Sequence, residues 1–287
     1  MKRPDLRIVN GQALHVVLDG ADRGGTPVAL VGGLAGNWFD WDSVTALLAA
    51  DRVIVRFDRP GFGFSPASTE APTARGEADR IAAVLSAVGV DGPVIVVAHS
   101  LGGFYGETFA RMHPDRTAAL VLLDASVGVG VTRLVGRRWR LTLARRAAAV
   151  LTGTGLQGRF AVTAWRLLDR SSDAAGVREA WVRRIWRTPS FLEAALVENA
   201  AYPDLAREVI ALRRTATLPP VPVVVVAAHT GRRTPWGAAW LRRQRLLAST
   251  LTARFEVLRP AHHLVMVDQP ERLATLVRTV AGPDPRR

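Results

Sequence analysis

The stretch Pro93-Val94-Ile95-Val96-Val97-Ala98-His99-Ser100-Leu101-Gly102-Gly103 decides how the rest of the chain is read. Pro93 to Ala98 is an unbroken apolar run rich in β-branched residues, as expected of a strand covered on both faces. It ends in a serine followed by two glycines, and Gly103 to Met112 reads as a helix. Ala-His-Ser-Leu-Gly matches the G-x-S-x-G nucleophile elbow with alanine in place of the first glycine. That turn is so tight that the neighbours of the serine must be small; it holds Oγ out of the sheet and aims the next backbone N–H at the same point. Alanine meets the demand. The competing reading is a structural turn in which the serine caps a helix.

Outward from this elbow, similar runs recur. Leu6 to Val9 and Ala13 to Leu18 flank Asn10-Gly11, a favourable hairpin turn, and predict an antiparallel start. Pro27 to Val31, Arg52 to Phe57, Ala118 to Leu123, Val221 to Ala228 and Ala253 to Leu258 are nearly continuous apolar strands. Helical patterns lie between them, at about 40–50, 73–89, 101–113, 236–252 and 268–281. This alternation predicts an α/β fold with a doubly wound, mostly parallel sheet. One interval, 125–217, breaks the rhythm: it holds no convincing strand, it carries Trp139, Trp165, Trp181 and Trp186, and it is far too long for an ordinary connection. We read it as a helical insertion over a core domain made of residues 1–124 and 218–287.

Composition bounds the function classes. The chain has 287 residues, 48% of them hydrophobic, a mean hydropathy of +0.12 and no cysteine. Disorder and a disulfide scaffold are excluded, and any metal would need His or carboxylate ligands alone. The formal charge is +13, and Lys2 is the only lysine. Residues 1–124 carry net −3, residues 125–215 net +9 and residues 216–287 net +7. Such a surplus suits a polyanion, a membrane surface or an arginine-favouring genome. No motif of nucleic-acid recognition accompanies it, so nucleic acid is not expected as a partner. Neither a signal peptide nor a membrane-length apolar run is visible, which makes the cytoplasm the expected location.

The elbow, Val31-Gly32-Gly33-Leu34, Asp58-Arg59-Pro60-Gly61-Phe62-Gly63-Phe64-Ser65 and the run from His263 to Pro270-Glu271 together resemble the α/β-hydrolase fold family over nearly the whole chain outside the insertion. The resemblance implies Ser100 as nucleophile and an oxyanion hole from the backbone N–H groups of Leu34 and Leu101, with Gly32-Gly33 where many relatives have His-Gly. It makes the insertion a cap, and gives Asp58 to Ser65 a loop-folding task. Of the adjacent His262 and His263, the family pattern of a proline seven residues after the base selects His263; an exchange of the two stays open. His99 is read as packing. The usual position of the acid, after Val221 to Ala228, holds no carboxylate. The family's alternative position, at the end of the preceding strand, is occupied by Asp124. A Ser–His dyad, or an acid from the insertion such as Glu198 or Asp204, are the other readings, and Asp268 is taken as helix N-terminal charge.

The implied chemistry is acyl transfer to water from a small-molecule ester-like substrate, without cofactor or metal. A degraded binding protein and a C–C bond hydrolase are the alternatives. Within the insertion, Val135, Trp139, Leu143 and Ala147 share a helical face with arginines off it. We expect a cap helix burying that face against the sheet; the rival is peripheral contact with an anionic membrane.

Overall fold

The computed structural model describes residues 5–20, 24–128, 135–154 and 175–280. Eight strands form one sheet: β1 (Leu6–Val9), β2 (Gln12–Asp19), β3 (Gly25–Val31), β4 (Arg52–Phe57), β5 (Val94–His99), β6 (Thr117–Leu123), β7 (Val223–Ala228) and β8 (Arg254–Leu258). Their order is β1-β2-β4-β3-β5-β6-β7-β8. β2 runs antiparallel to both β1 and β4, and every other pairing is parallel. The Asn10-Gly11 hairpin has the expected left-handed turn, with φ of 48° and 78°.

Alternation along the central strands builds two cores. Val94, Val96 and Ala98 of β5, with Leu120 and Leu122 of β6, face α2 (Ala74–Ala87) and α3 (Gly102–Met112). Ile95 and Val97, with Ala119, Val121 and Leu123, face α1 (Asp42–Leu48) and the C-terminal helix. Because both faces are covered, these strands read as continuous apolar runs.

Two predicted helices are divided. The 40–50 pattern is a 3-10 turn, Trp38–Trp41, leading into α1, and the last helix is a short turn, Val265–Asp268, followed by Pro270–Val280. Pro270 disfavours helical backbone at Gln269, whose ψ is 52°.

Between β6 and β7 the described residues contain helices and no strand: α4 (Arg137–Gly153), α5 (Ala175–Ile185) and α6 (Pro189–Thr215). Val182, Ile185 and Phe191 pack with Trp38, Phe39 and Phe62 from loops at the carboxyl edge of the sheet. The face expected to be buried on α4 is not. Val135, Trp139 and Leu143 are 43%, 65% and 55% exposed, whereas Leu141 and Ala148 face inward. The rotation follows from charge. Arg137 and Arg140 pair with Asp204, and Arg145 with Glu193, both on α6, so the helix presents to α6 the side that carries these arginines with Leu141 and Ala148, and leaves Trp139, Leu143 and Val150 outward. Trp165 lies outside the described residues.

Candidate active site

β5 and β6 end in matching strained residues. Ser100 has φ of 53° and Asp124 has φ of 46°, both in the left-handed region. Each N–H still extends the ladder, Ser100 to the Leu123 carbonyl at 3.0 Å and Asp124 to that of Val226 at 2.6 Å. The backbone thus leaves the sheet just after its last hydrogen bond, and both side chains are turned out over its carboxyl edge. Left-handed backbone is disfavoured for any residue with a Cβ, least so for Asp, and such strain concentrates at functional sites.

The turn depends on missing Cβ atoms. One on Gly102 would lie 2.4 Å from the Gly32 carbonyl oxygen, and one on Gly33 would lie 2.8 Å from Ser100 Cβ. The alanine at the first elbow position has its own accommodation: a Cβ at Gly106, on the facing side of α3, would stand 2.6 Å from Ala98 Cβ.

His263 Nε2 and Ser100 Oγ are 2.8 Å apart, and His263 Nδ1 lies 2.7 Å from Asp124 Oδ2. With Nδ1 protonated toward the carboxylate, Nε2 is the acceptor for the serine hydroxyl. Asp124 is 3% exposed, and its Oδ1 accepts from the Ala228 N–H at 2.9 Å and the Trp240 indole N–H at 2.6 Å. Its carboxylate is therefore desolvated yet amply bonded, as a buried charge requires. The structure thus brings Ser100, His263 and Asp124 together.

The rival candidates are engaged elsewhere. His262 turns to Asp268, whose carboxylate accepts its N–H at 2.6 Å, so Asp268 ties down the loop before His263. Glu198 binds Arg59 and Tyr105, and Asp204 binds Arg137 and Arg140. Asp58 accepts from the N–H groups of Trp38 and Phe64 and from His15, and a Cβ on Gly63 would collide with its carboxylate. It folds the loop.

Three partners had no such role assigned from the sequence, although two of them, His99 and Arg59, lie within its motifs. Trp240 is one. His99 is the second: its ring donates from Nε2 to the His263 carbonyl at 2.8 Å, bracing the backbone that carries His263. Burial, then the nearby His263, hold its imidazole well below the usual range, so it is neutral. Arg59 is the third. Its guanidinium donates to the Gly32 and Gly33 carbonyls at 2.7 and 2.6 Å and to both Glu198 oxygens at 2.9 Å. Burial alone would lower its pKa, but Glu198 and then Tyr105 outweigh that and raise it. Among the described residues, the N–H groups of Leu34 and Leu101 donate to no protein acceptor. A groove of about 980 Å³ opens beside the imidazole of His263, walled by Asp124, Trp236, Trp240, His262 and His263.

A strand-end serine within hydrogen-bond reach of a carboxylate-bound histidine, on a mixed eight-stranded sheet with helices before β7, is the arrangement of a hydrolase built on the α/β plan. The chain belongs to the alpha/beta hydrolase family, whose model matches residues 24–276. Lipase LipV of Mycobacterium tuberculosis is 32% identical over 238 residues, which are 79% of this chain and 82% of that protein. Among solved structures, Cfl2 of Burkholderia cenocepacia has a TM-score of 0.74 at 23% identity, covering 96% of this chain and 94% of the other. A thermophilic esterase from Thermogutta terrifontis has a TM-score of 0.67 at 22% identity, covering 96% and 97%. Identities this low speak for the fold.

Proposed function

We propose that this hydrolase is a serine esterase-like enzyme, acting on a carboxylic ester, thioester or related acyl bond of a small apolar substrate through a Ser100 acyl-enzyme. The observation that carries the reading is the unbroken relay from Ser100 Oγ to His263 to Asp124, at 2.8 and 2.7 Å. His263 Nε2 takes the hydroxyl proton as Oγ attacks the carbonyl carbon, and the imidazolium is steadied by Asp124. The backbone N–H groups of Leu34 and Leu101, the latter at the start of α3, receive the oxyanion. The proton passes to the leaving group as its bond to carbon breaks; water then repeats the cycle on the acyl-enzyme and frees Ser100.

LipV, named a lipase, and the Thermogutta esterase support ester-like substrates by likeness. A serine at the elbow, where an alkylated intermediate would need a carboxylate, supports acyl transfer. In this reading 125–217 is a cap over the 1–124 and 218–287 core, and the outward face of α4 is a surface for anionic membranes. Arg138 and Arg146, beside Trp139, Leu143 and Val150, have no carboxylate partner among the described residues.

The test is labelling with a fluorophosphonate, followed by an acyl-chain series of activated esters on wild type, Ser100→Ala and Asp124→Asn. Labelling and turnover that vanish in Ser100→Ala are expected. A folded wild type that neither labels nor turns over any ester would refute the assignment and leave a binding protein. Full activity in Asp124→Asn would remove Asp124 from the relay.

A further inference from the structure

We propose that Arg59 is a positioning residue for the Leu34 oxyanion donor and that Glu198, reaching across from α6, holds Arg59 in register, so that seating α6 on the core completes the oxyanion hole. The inference rests on the Ser100 acyl-transfer reading and adds to it a role for the helices between β6 and β7.

The peptide linking Gly33 and Leu34 carries both halves of the argument. In a trans peptide the C=O and the following N–H point in opposite directions. Arg59 Nη2 holds the Gly33 oxygen at 2.6 Å, and the Gly36 N–H occupies its other side at 3.0 Å. The Leu34 N–H is thereby turned away from the guanidinium. Gly33 itself lies against the nucleophile, where an added Cβ would be 2.8 Å from Ser100 Cβ. Ala35, next in the loop, has φ of 57°, a conformation alanine keeps only when its surroundings impose it. Nη1 fixes the preceding peptide through the Gly32 oxygen at 2.7 Å.

The guanidinium is held in its turn. Arg59 and Glu198 are 4% and 2% exposed and meet in a two-pronged contact at 2.9 Å, while the Tyr105 hydroxyl donates to Glu198 at 2.8 Å. The rings of Phe62 and Tyr105 lie 5.1 and 5.4 Å from the guanidinium carbon. A planar fork with its donors spent on two carbonyls and one carboxylate has a single orientation. If α6 lifts, the carboxylate leaves with it and the fork is no longer held at both ends.

The experiment compares wild type, Glu198→Gln, Arg59→Lys, Ser100→Ala and the double variant Arg59→Met with Glu198→Met, which avoids stranding one buried charge. Folding is checked by circular dichroism. kcat and KM are measured on an activated ester, and Ki on a trifluoromethyl ketone, whose adduct carries an oxyanion. Loss of one aligned oxyanion donor costs roughly 100- to 1,000-fold in kcat. Misalignment in the double variant is expected to lower kcat about 10- to 100-fold with KM within about threefold, with Glu198→Gln and Arg59→Lys intermediate, and Ki rising in proportion. A purely structural pair would lower the denaturation midpoint and leave kcat and Ki alone. A folded variant of any of the three kinds with kcat and Ki within about threefold of wild type, while Ser100→Ala is dead, overturns the positioning role alone. Turnover that survives in Ser100→Ala overturns the acyl-transfer reading and this inference with it.

Discussion

The alanine at the first elbow position makes a quantitative prediction through Gly106. A methyl group placed on Gly106 would sit 2.6 Å from Ala98 Cβ, 3.3 Å from Val96 Cγ1 and 3.6 Å from Leu120 Cδ1. Carbon pairs prefer about 3.5–4.0 Å, so α3 would have to retreat by about 1 Å from a strand that is wholly buried. Overpacking of that kind costs about 1–3 kcal/mol, against about 1 kcal/mol gained by alanine over glycine in a helix. Gly106→Ala is therefore expected to destabilise by up to about 2 kcal/mol. Ala98→Gly loses one buried methyl, about 0.8 kcal/mol, and adds a strand glycine, about 0.5–1 kcal/mol. In the double variant the new methyl occupies the vacated space, so the two changes should couple favourably by about 1–3 kcal/mol. Urea denaturation of all four proteins, with constant m, measures the cycle. Additivity within about 0.5 kcal/mol would refute the idea that Gly106 is what admits alanine at the elbow.

Three further outcomes are expected. His99 is held below its ordinary pKa when folded, so below about pH 6.5 the unfolded chain takes up the proton first and stability falls by about 1.4 kcal/mol per pH unit; urea midpoints at pH 7.5 and 5.5 should converge in His99→Gln, and an unchanged difference would contradict this. Trp240→Phe removes one of three donors to the Asp124 carboxylate, two of them on Oδ1, and should lower kcat/KM roughly 3- to 10-fold in steady-state assays. Trp139→Ser with Arg146→Glu should cut sedimentation with phosphatidylglycerol vesicles at least about tenfold; a wild-type protein that ignores those vesicles removes the membrane face.

What could be read in advance was whatever the backbone repeats locally. The strands follow from period and composition, the elbow from small residues around Ser100, and the choice between His262 and His263 from a distance to Pro270. Partners brought together only by folding left no trace: Trp240 is 116 residues from Asp124, and Glu198 is 139 from Arg59. The orientation of α4 was misread for a related reason. A helical wheel finds an apolar stripe, but here ion pairs to Asp204 and Glu193 decide which side of the helix meets its neighbour. Glu198, considered as an acid for the histidine, turned out to be a buried acid serving Arg59, because an internal carboxylate goes to the nearest cation.

The placement of Asp124 at the end of β6 also changes what the rest of the carboxyl edge is free to do. The segment from Thr230 to Trp236 is exposed, and its own hydrogen bonds are short-range ones, such as Gly231 N–H to His229 Nδ1 at 3.0 Å. Among the described residues, no side chain from Thr230 to Arg233 bonds to His263. Thr234 caps the helix that carries Trp240, accepting from the Gly237 N–H at 3.0 Å, and Trp236 stacks on Trp240 at 6.0 Å, so the residues free to drift or be redesigned at the rim of the groove beside His263 are those from Thr230 to Arg233, a natural place to vary substrate preference.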